Sequence, residues 1–403
     1  MKNALIYIIS KISLHIGNIV YNFAISFYLL SETETAKSLS INLTLSIVAS
    51  LITTPLSGII TDRYNRKNII IITETLHTLL LLFLILITYY FTLSLLIIFT
   101  TTFLKTIISN IADNTFNASI TQLFNENELI KISSISGILQ SIAVIISPFI
   151  AGLLYGINQI LIIFILFFLL SLLSTIINIF LNFSENNLRH NKRTNKISLN
   201  SYDEIIRYVY NNKLILILIL SLPITNFLYT SVSLFPEKVL IVDLKFNSYY
   251  IGLLSGFIGF STLCSSIYLM KLKNLPNIIR VSKYVFTLVG ILFFLMTISF
   301  AFIDTKFTIY IIFLICSLFI TSLIQFNSIP VTIYFQKIIP NHMKGRFFSI
   351  INLCTICISP ISMLTYSILY DMKLYVITNC ITSFLFIFIS LILFKKKYTN
   401  LVN

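Results

Sequence analysis

The chain of 403 residues is 57% hydrophobic and only 10% charged, and its formal net charge is +14. Its mean hydropathy is +0.94, which excludes an ordinary soluble domain, since such domains are about 25% charged. Apolar stretches of about 20 residues, long enough to cross a bilayer as a helix, recur from end to end. Long runs of Leu, Ile and Phe favour helices over membrane β-barrel strands, whose pattern alternates in short segments.

These stretches predict an all-α membrane protein with about twelve transmembrane helices. The predicted spans are 5–30, 38–60, 69–91, 94–122, 132–156, 159–182, 213–236, 247–270, 281–303, 307–335, 347–370 and 374–394. The longest polar segment falls between the sixth and seventh spans, so it divides the chain into two six-helix halves. We therefore predict an N-terminal half at 1–182, a cytoplasmic linker at 183–212, and a C-terminal half at 213–403 that ends in a short cytoplasmic tail.

The 28 Lys and Arg residues are distributed unevenly between the two sides of these spans. With the N-terminus inside, the predicted cytoplasmic segments hold roughly four times as many basic residues as the external loops, which is the positive-inside pattern. Both termini are therefore predicted to lie in the cytoplasm. The excess of bases indicates topology signals and contacts with anionic lipids rather than a nucleic-acid interface. Abundant Ile, Asn and Lys, with no Trp, suggest a bacterial cytoplasmic membrane.

A charged cluster interrupts the apolar sequence between the second and third predicted spans. It reads Gly58-Ile-Ile-Thr-Asp62-Arg63-Tyr-Asn-Arg66-Lys67. The three bases can simply hold a short loop on the cytoplasmic side. Alternatively, Asp62 can form ion pairs at a helix end that must break when helices move. Both interpretations predict a tight, cytoplasmic turn at this point.

Ionisable residues inside a bilayer are costly and are therefore candidates for function. Lys11, Glu74, Lys105 and Asp113 fall within predicted spans. Lys11 could extend its amine to the interface, and Glu74 could serve the loop charges nearby. Lys105 and Asp113 lie well inside the fourth span, roughly 80° apart around the helix, so they could border one cavity without touching. We interpret Asp113, Lys105 and Glu74 as candidates for proton coupling. The polar residues around Asp113 fit either a substrate path or a packed helix interface: Asn110, Asn114, Thr115 and Asn117.

The fifth predicted span contains Ser147-Pro148-Phe-Ile-Ala151-Gly152. Proline kinks a helix because it removes a backbone hydrogen bond. A small residue one turn later allows a neighbouring helix to approach closely. An ordinary kink without further function is the alternative interpretation of Pro148 and Gly152.

These motifs resemble those of the major facilitator superfamily of transporters. Gly58–Lys67 matches every specified position of the signature G-x-x-x-D-R-x-x-R-[KR], which lies between the second and third helices of that family. Ser147–Gly152 resembles its G-P-x-x-G-G antiporter motif, with Ser and Ala in place of two glycines. Pro340–Phe348 resembles the P-x-x-x-x-G-R-x-F loop of the drug:proton antiporter branch, which includes macrolide efflux proteins and the enterobactin exporter.

The resemblance implies two pseudo-symmetric six-helix halves and secondary transport of a small molecule by alternating access. For the antiporter branch it implies proton-coupled efflux of a bulky amphipathic compound, with Gly58–Lys67 as the conformational motif and the fifth helix as a seal. Uptake, or movement of a lipid or peptide, stays open for the same fold. A membrane enzyme is less favoured because the four histidines are scattered along the chain. We expect no metal, no cofactor and a monomer.

Overall fold

The computed structural model describes residues 2–124, 126–181, 207–210, 212–271, 277–340 and 344–393. Twelve helices in this part of the chain are long and apolar enough to cross a membrane, which confirms the all-α, twelve-span prediction. Ten of these correspond to α1 (Lys2–Thr33), α2 (Ala36–Arg63), α3 (Arg66–Tyr90), α4 (Leu95–Leu123), α7 (Lys213–Lys238), α8 (Ser248–Met270), α9 (Ile278–Phe302), α10 (Lys306–Ile338), α11 (Lys344–Asp371) and α12 (Tyr375–Leu393). The helical stretch Glu126–Ile179 holds the other two, α5 (Ile135–Ile157) and α6 (Ile160–Ile179).

The chain reverses direction between α5 and α6. A straight helix of 54 residues would be about 80 Å long, far more than the bilayer core of about 30 Å. Tyr155, at the end of α5, packs against Phe27 near the end of α1, with ring centroids 4.7 Å apart. Ile132 and Leu181, which flank the two spans, instead share one apolar cluster with the first turns of α1. The two spans therefore form an antiparallel pair.

The seventh span is longer than the sequence predicted. The predicted span ends at residue 236, which is Pro236. Pro236 instead lies within α7, and the chain continues through a π-helical turn at Val239–Asp243. Such a turn accommodates an irregularity without ending the helix. This places Lys238 in the interior, where its amine lies 3.2 Å from the Asp371 carboxylate.

The chain forms two compact units. The first comprises α1–α6 and the first part of α8, as far as Gly259. The second comprises α7, the remainder of α8 from Phe260, and α9–α12. Most of the predicted linker, 183–212, lies outside the described residues, and the boundaries of the two halves stay a prediction.

In the first unit, the polar face of α4 packs against α2 and α1. The sequence left open whether this face borders a substrate path or a packed interface; the described contacts are interhelical hydrogen bonds, while Asn117 itself is exposed. The pairs are Asn110 with Ser50 at 2.9 Å, Thr115 with Thr61 at 3.0 Å, Asn114 with Ser57, and Asn117 with Lys11 at 2.8 Å.

The core of the second unit is aromatic. Phe235 of α7 is fully buried. Five rings have their centroids within 6.3 Å of its own: Phe293, Phe300, Phe313, Tyr370 and Tyr375. Tyr370 also donates a hydrogen bond to Asn379 Oδ1 at 2.6 Å, so its buried hydroxyl group is satisfied, as such groups usually are.

Candidate functional site

Glu74 of α3 is buried, with 1% of its surface exposed. Its Oε2 accepts a hydrogen bond from the hydroxyl group of Ser174 in α6. Ser174 is also paired with Ser10 of α1 at 2.5 Å, and the amide of Asn178 donates to Ser10 at 2.8 Å. Among the described residues, no basic side chain lies within 4.0 Å of this carboxyl group. Neutral hydroxyl and amide groups therefore hold Glu74, rather than the bases of the α2–α3 loop.

Two buried polar atoms on α3, from residues three positions apart, have no hydrogen-bond partner in the described structure. These are Glu74 Oε1 and His77 Nε2, although His77 Nδ1 is paired with Ser171 at 3.1 Å. Both residues line a cavity of about 10 Å³, and Asp113 of α4 lines it as well. A cavity of this size holds about one water molecule, which is a suitable partner for two such atoms.

Asp113 has an exposed side chain, unlike Glu74. Lys11 of α1 lies close enough to Asp113 for their opposite charges to interact. The Lys11 amine also donates to Asn117 Oδ1 at 2.8 Å and to the Tyr7 hydroxyl at 3.4 Å. Lys11 therefore contacts α4 beside Asp113. The sequence analysis had instead allowed its amine to extend to the membrane interface.

Lys105 lies in different surroundings from Asp113. It is 4% exposed, its amine donates to Asn22 Oδ1 at 2.8 Å, and it stands 4.0 Å from the centroid of the Tyr21 ring. A cation over a tyrosine face is stabilised by the ring quadrupole. No described carboxylate lies within 4.0 Å of it, and it is not among the residues that line the small cavity.

The charged turn between α2 and α3 is short, as predicted. Arg66, the first residue of α3, is buried and donates to the Ala118 carbonyl of α4 at 2.6 Å, which ties the turn to α4. Arg63 is exposed and Lys67 is half-buried. A Cβ built on Gly58 would meet no described atom within 4 Å, and the side chain of Asp62 lies outside the described part of the structure.

The predicted close approach at Gly152 is made by α8. A Cβ on Gly152 would lie 2.6 Å from the Ser248 carbonyl oxygen, and one on Gly252 would lie 2.6 Å from the Pro148 carbonyl oxygen. The Ser248 hydroxyl also donates to the Gly152 carbonyl at 2.8 Å. Pro148 and Gly152 therefore form one side of a contact in which two backbones touch directly, as small residues permit between membrane helices.

The sequence analysis did not identify the other side of this contact. Gly256 and Gly259 of α8 extend it, because a Cβ on either would lie 3.2 Å from atoms of Ile145 in α5. The chain has only 10 glycines, and the clustering of three of them at 252–259 was a usable signal. Their spacing is that of small-residue motifs at membrane-helix interfaces.

The second unit contains a cavity of about 400 Å³ between α7, α10 and α11, which the sequence analysis also missed. Its lining residues are Leu222, Thr225, Asn226, Tyr229, Ile324, Asn327, Ser328, Val331, Thr332, Phe335, Phe348, Ile351, Asn352 and Thr355. These residues come from three separate helices. No local motif in the sequence brings them together.

In the described part of the chain, twelve helices of membrane-spanning length, buried ionisable groups and a cavity of small-molecule size are features typical of membrane carriers. The sequence model of the Major Facilitator Superfamily matches residues 7–363, so the chain belongs to this superfamily. It is a multi-pass membrane protein and a secondary transporter of small molecules, not an enzyme. The resemblance of its motifs to this superfamily is thereby confirmed.

Among known proteins, the chain is 27% identical over 145 residues to macrolide efflux protein A of Streptococcus pyogenes. The match spans 36% of the chain and 36% of that protein. A bacterial homologue of the iron transporter ferroportin, in an inward-facing state, matches with a TM-score of 0.71 at 17% identity and covers 98% of this chain and 99% of its own. The nucleoside transporter NupG matches with a TM-score of 0.72 at 12% identity and covers 98% of both chains. At these identities the two structures show the fold alone.

Proposed function

We propose that this transporter exports a bulky amphipathic small molecule in exchange for protons. The burial of Glu74 among neutral partners carries the proposal. A buried carboxylate without a cation is costly, so its burial favours the state in which it carries a proton. Release of that proton requires water or a positive charge to reach the carboxyl group. Proton binding at Glu74 is thereby linked to a change in its surroundings, as alternating access requires.

Asp113 and Lys11 provide the route to Glu74 in this proposal. Asp113 is exposed and lines the same small cavity as Glu74, so a water molecule between them can relay a proton. Lys11 interacts with Asp113 and can exchange partners when Asp113 changes charge. Lys105, held by Asn22 and Tyr21, is a candidate for tuning this region through its charge.

The direction of transport and the kind of cargo rest on similarity. The partial match to macrolide efflux protein A and the antiporter-like segment Ser147–Gly152 both favour export of a bulky compound. Uptake, or movement of a lipid or peptide, would use the same coupling groups with the steps in another order. The decisive experiment is transport in inverted membrane vesicles with an imposed pH gradient, using compounds first selected by efflux from a host that lacks its own pumps. Accumulation of the compound only when the lumen is acidic supports export; accumulation that ignores the gradient contradicts proton coupling.

The turn between α2 and α3 is proposed to control conformation, with Asp62 as its acidic member. Asp62→Asn removes an acid from among three bases. We expect transport to fall at least about tenfold while insertion is retained, because the change should shift the equilibrium between conformational states. Rates are compared at matched membrane abundance. Transport near the parental rate contradicts this role.

We further propose a monomer in the bacterial cytoplasmic membrane with both termini in the cytoplasm. The basis for the orientation of the termini is the excess of Lys and Arg in alternate loops. Single cysteines at Asn195 and Asn400, in a background without the native cysteines, should be protected from an impermeant thiol reagent in intact cells. A cysteine at Asn247 should be labelled. Labelling at position 195 would reverse the assigned orientation.

A further inference from the structure

We propose that His77 is the first acceptor of the Glu74 proton, so that the two side chains share one proton across the small cavity that both of them line. The inference rests on the proposed function, since it assumes that Glu74 exchanges a proton during transport. It adds a second proton-carrying residue, which the proposed function leaves out. Both residues and the cavity belong to the first unit.

A chain of hydrogen bonds determines which oxygen of Glu74 carries its proton. The Asn178 amide donates to Ser10 at 2.8 Å, and the hydroxyl oxygens of Ser10 and Ser174 lie 2.5 Å apart. When Ser10 donates to Ser174, and Ser174 donates to Glu74 Oε2, each hydroxyl hydrogen is used once. The opposite direction would leave the Ser10 hydrogen without a described acceptor. The proton of neutral Glu74 therefore lies on Oε1, which has no described partner.

The same accounting determines the tautomer of His77. The hydroxyl groups of Thr78 and Thr175 each donate to a backbone carbonyl group one turn earlier in their own helix, at 2.8 and 2.9 Å. Ser171 can then donate its one hydrogen to Thr78, 2.8 Å away. The 3.1 Å contact between Ser171 and His77 Nδ1 therefore requires the hydrogen of the ring to lie on Nδ1. A neutral imidazole carries a single N–H, so His77 Nε2 is a bare acceptor.

The two atoms without a described partner are complementary. Glu74 Oε1 carries a hydrogen, His77 Nε2 carries a lone pair, and both residues line the same cavity. The cavity holds about one water molecule, which can accept from the carboxyl group and donate to the imidazole. Contacts with Ser171 and with Phe167, whose ring centroid lies 4.9 Å from that of His77, hold the imidazole in place.

The transfer conserves atoms and charge. The O–H bond of Glu74 breaks, and its electron pair stays on Oε1. The water molecule takes up this proton and passes one of its own to His77 Nε2, so that a neutral pair becomes a carboxylate and an imidazolium. The buried carboxylate then has a positive partner, and a paired buried charge is far less costly than a lone one. His77 therefore supplies the positive charge that release of the Glu74 proton requires.

The charged groups around His77 determine where its proton goes next. Lys105 of α4 lies close enough for its charge to disfavour an imidazolium. Asp113, on the same helix, is exposed and lines the cavity, so it is the next acceptor. On α1, Lys11 acts on Asp113, and His15 lies near Lys11. The spans α5 and α6 contain no Asp, Glu, Lys, Arg or His.

NMR of the histidine ring nitrogens, in lipid bilayers, tests this arrangement without a transported compound. The chain has four histidines, and the signals lost in His77→Gln identify His77. We expect a neutral ring with its hydrogen on Nδ1. Ser171→Ala removes the acceptor of that hydrogen and should shift part of the population to the Nε2–H form. Ser141→Ala is the matched control, because its hydroxyl donates to the Gly137 carbonyl of its own helix, and it should leave the His77 signals unchanged.

Transport by single and double variants tests whether the two residues act in one step. His77→Gln should lower gradient-driven export at least about tenfold, since loss of a proton-transfer group typically costs about 10²–10⁴-fold, and exchange without a gradient should persist. Glu74→Gln combined with His77→Gln should match Glu74→Gln alone within about twofold, because residues of one network give non-additive losses. His190→Gln, in the predicted linker, is the control and should export at the parental rate. The cargo is the compound selected by the efflux assay, and rates are compared at matched membrane abundance.

The proposal is overturned if neutral His77 carries its hydrogen on Nε2, if His77→Gln exports at the parental rate, or if the loss in the double variant is the product of the two single losses. A purely structural His77 would lower export and exchange together, which would also overturn it. Failure of the proposed function gives a different result: His77 keeps the Nδ1–H form and responds to Ser171→Ala, while export by the parental protein ignores the gradient.

Discussion

The two units of the chain differ in how they use charge. In the first unit, Lys11, Glu74, Lys105 and Asp113 lie well inside the membrane spans, and Glu74 and Lys105 are almost completely buried. In the second unit, the described charged residues lie near span ends, as Lys238 and Asp371 do, and none of the described residues that line the large cavity is charged. We propose that the first unit carries the coupling groups. Changes to these groups should then reduce gradient-driven transport more than exchange of cargo without a gradient.

The largest effect is expected from Glu74→Gln. The amide keeps the size and hydrogen-bonding capacity of the carboxyl group but cannot exchange a proton. We expect gradient-driven efflux to fall at least about tenfold, because removal of an essential proton-transfer group typically costs 10²–10⁴-fold. Exchange of cargo without a gradient should persist.

Glu34→Gln is the matched control for this variant. Glu34 is exposed and its partner Lys245 lies 3.4 Å away, and such surface pairs contribute at most about 1 kcal/mol. Efflux by this control should stay at the parental rate. If Glu74→Gln lowers gradient-independent exchange together with efflux, Glu74 is a structural residue rather than a coupling residue.

A smaller effect is expected from Asp113→Asn. Its side chain is exposed, so water can still reach Glu74 when the Asp113 charge is removed. Efflux should fall by less than with Glu74→Gln, and its dependence on pH should change because Lys11 loses its acidic neighbour. The measurement is efflux rate against pH in inverted vesicles. An unchanged rate and an unchanged pH profile would remove Asp113 from the proton route.

The smallest effect on the transport rate is expected from Gly152→Ala, which should instead lower the stability of the folded protein. Its Cβ would lie 2.6 Å from a backbone oxygen of α8, and such overpacking costs about 1–3 kcal/mol. Thermal unfolding of the purified protein should therefore occur several degrees lower. Gly137→Ala is the control on the same helical stretch, because its Cβ would meet no described atom within 4 Å. Equal unfolding temperatures for the two variants would mean that the α5–α8 contact is not held in solution.

The sequence predicted the fold well because the bilayer itself imposes the pattern. A span must be apolar over about 20 residues whatever it packs against, so the ends of eleven spans were located within a few residues. The exception was the end of the seventh span, which was predicted at 236, whereas the helix continues through a π-helical turn to Asp243 and contains Lys238, which pairs with Asp371.

The surroundings of the candidate residues could not be predicted in the same way. The helix that covers a given face depends on packing between distant segments. Ser174, which holds Glu74, is far from it in the sequence, and Lys105 is directed towards Asn22 and Tyr21 rather than Asp113. Similarly, Asn226, Asn327 and Asn352 meet around one cavity only because three helices converge there.

The most direct measurement follows protons and cargo together in proteoliposomes that contain the parental protein or Glu74→Gln. An imposed pH gradient is monitored while a compound selected by the efflux assay is added. We predict that the parental protein dissipates the gradient as the compound moves, and that Glu74→Gln does neither while it still exchanges the compound across the membrane without a gradient. Movement of the compound by the parental protein with no accompanying movement of protons would contradict proton-coupled export.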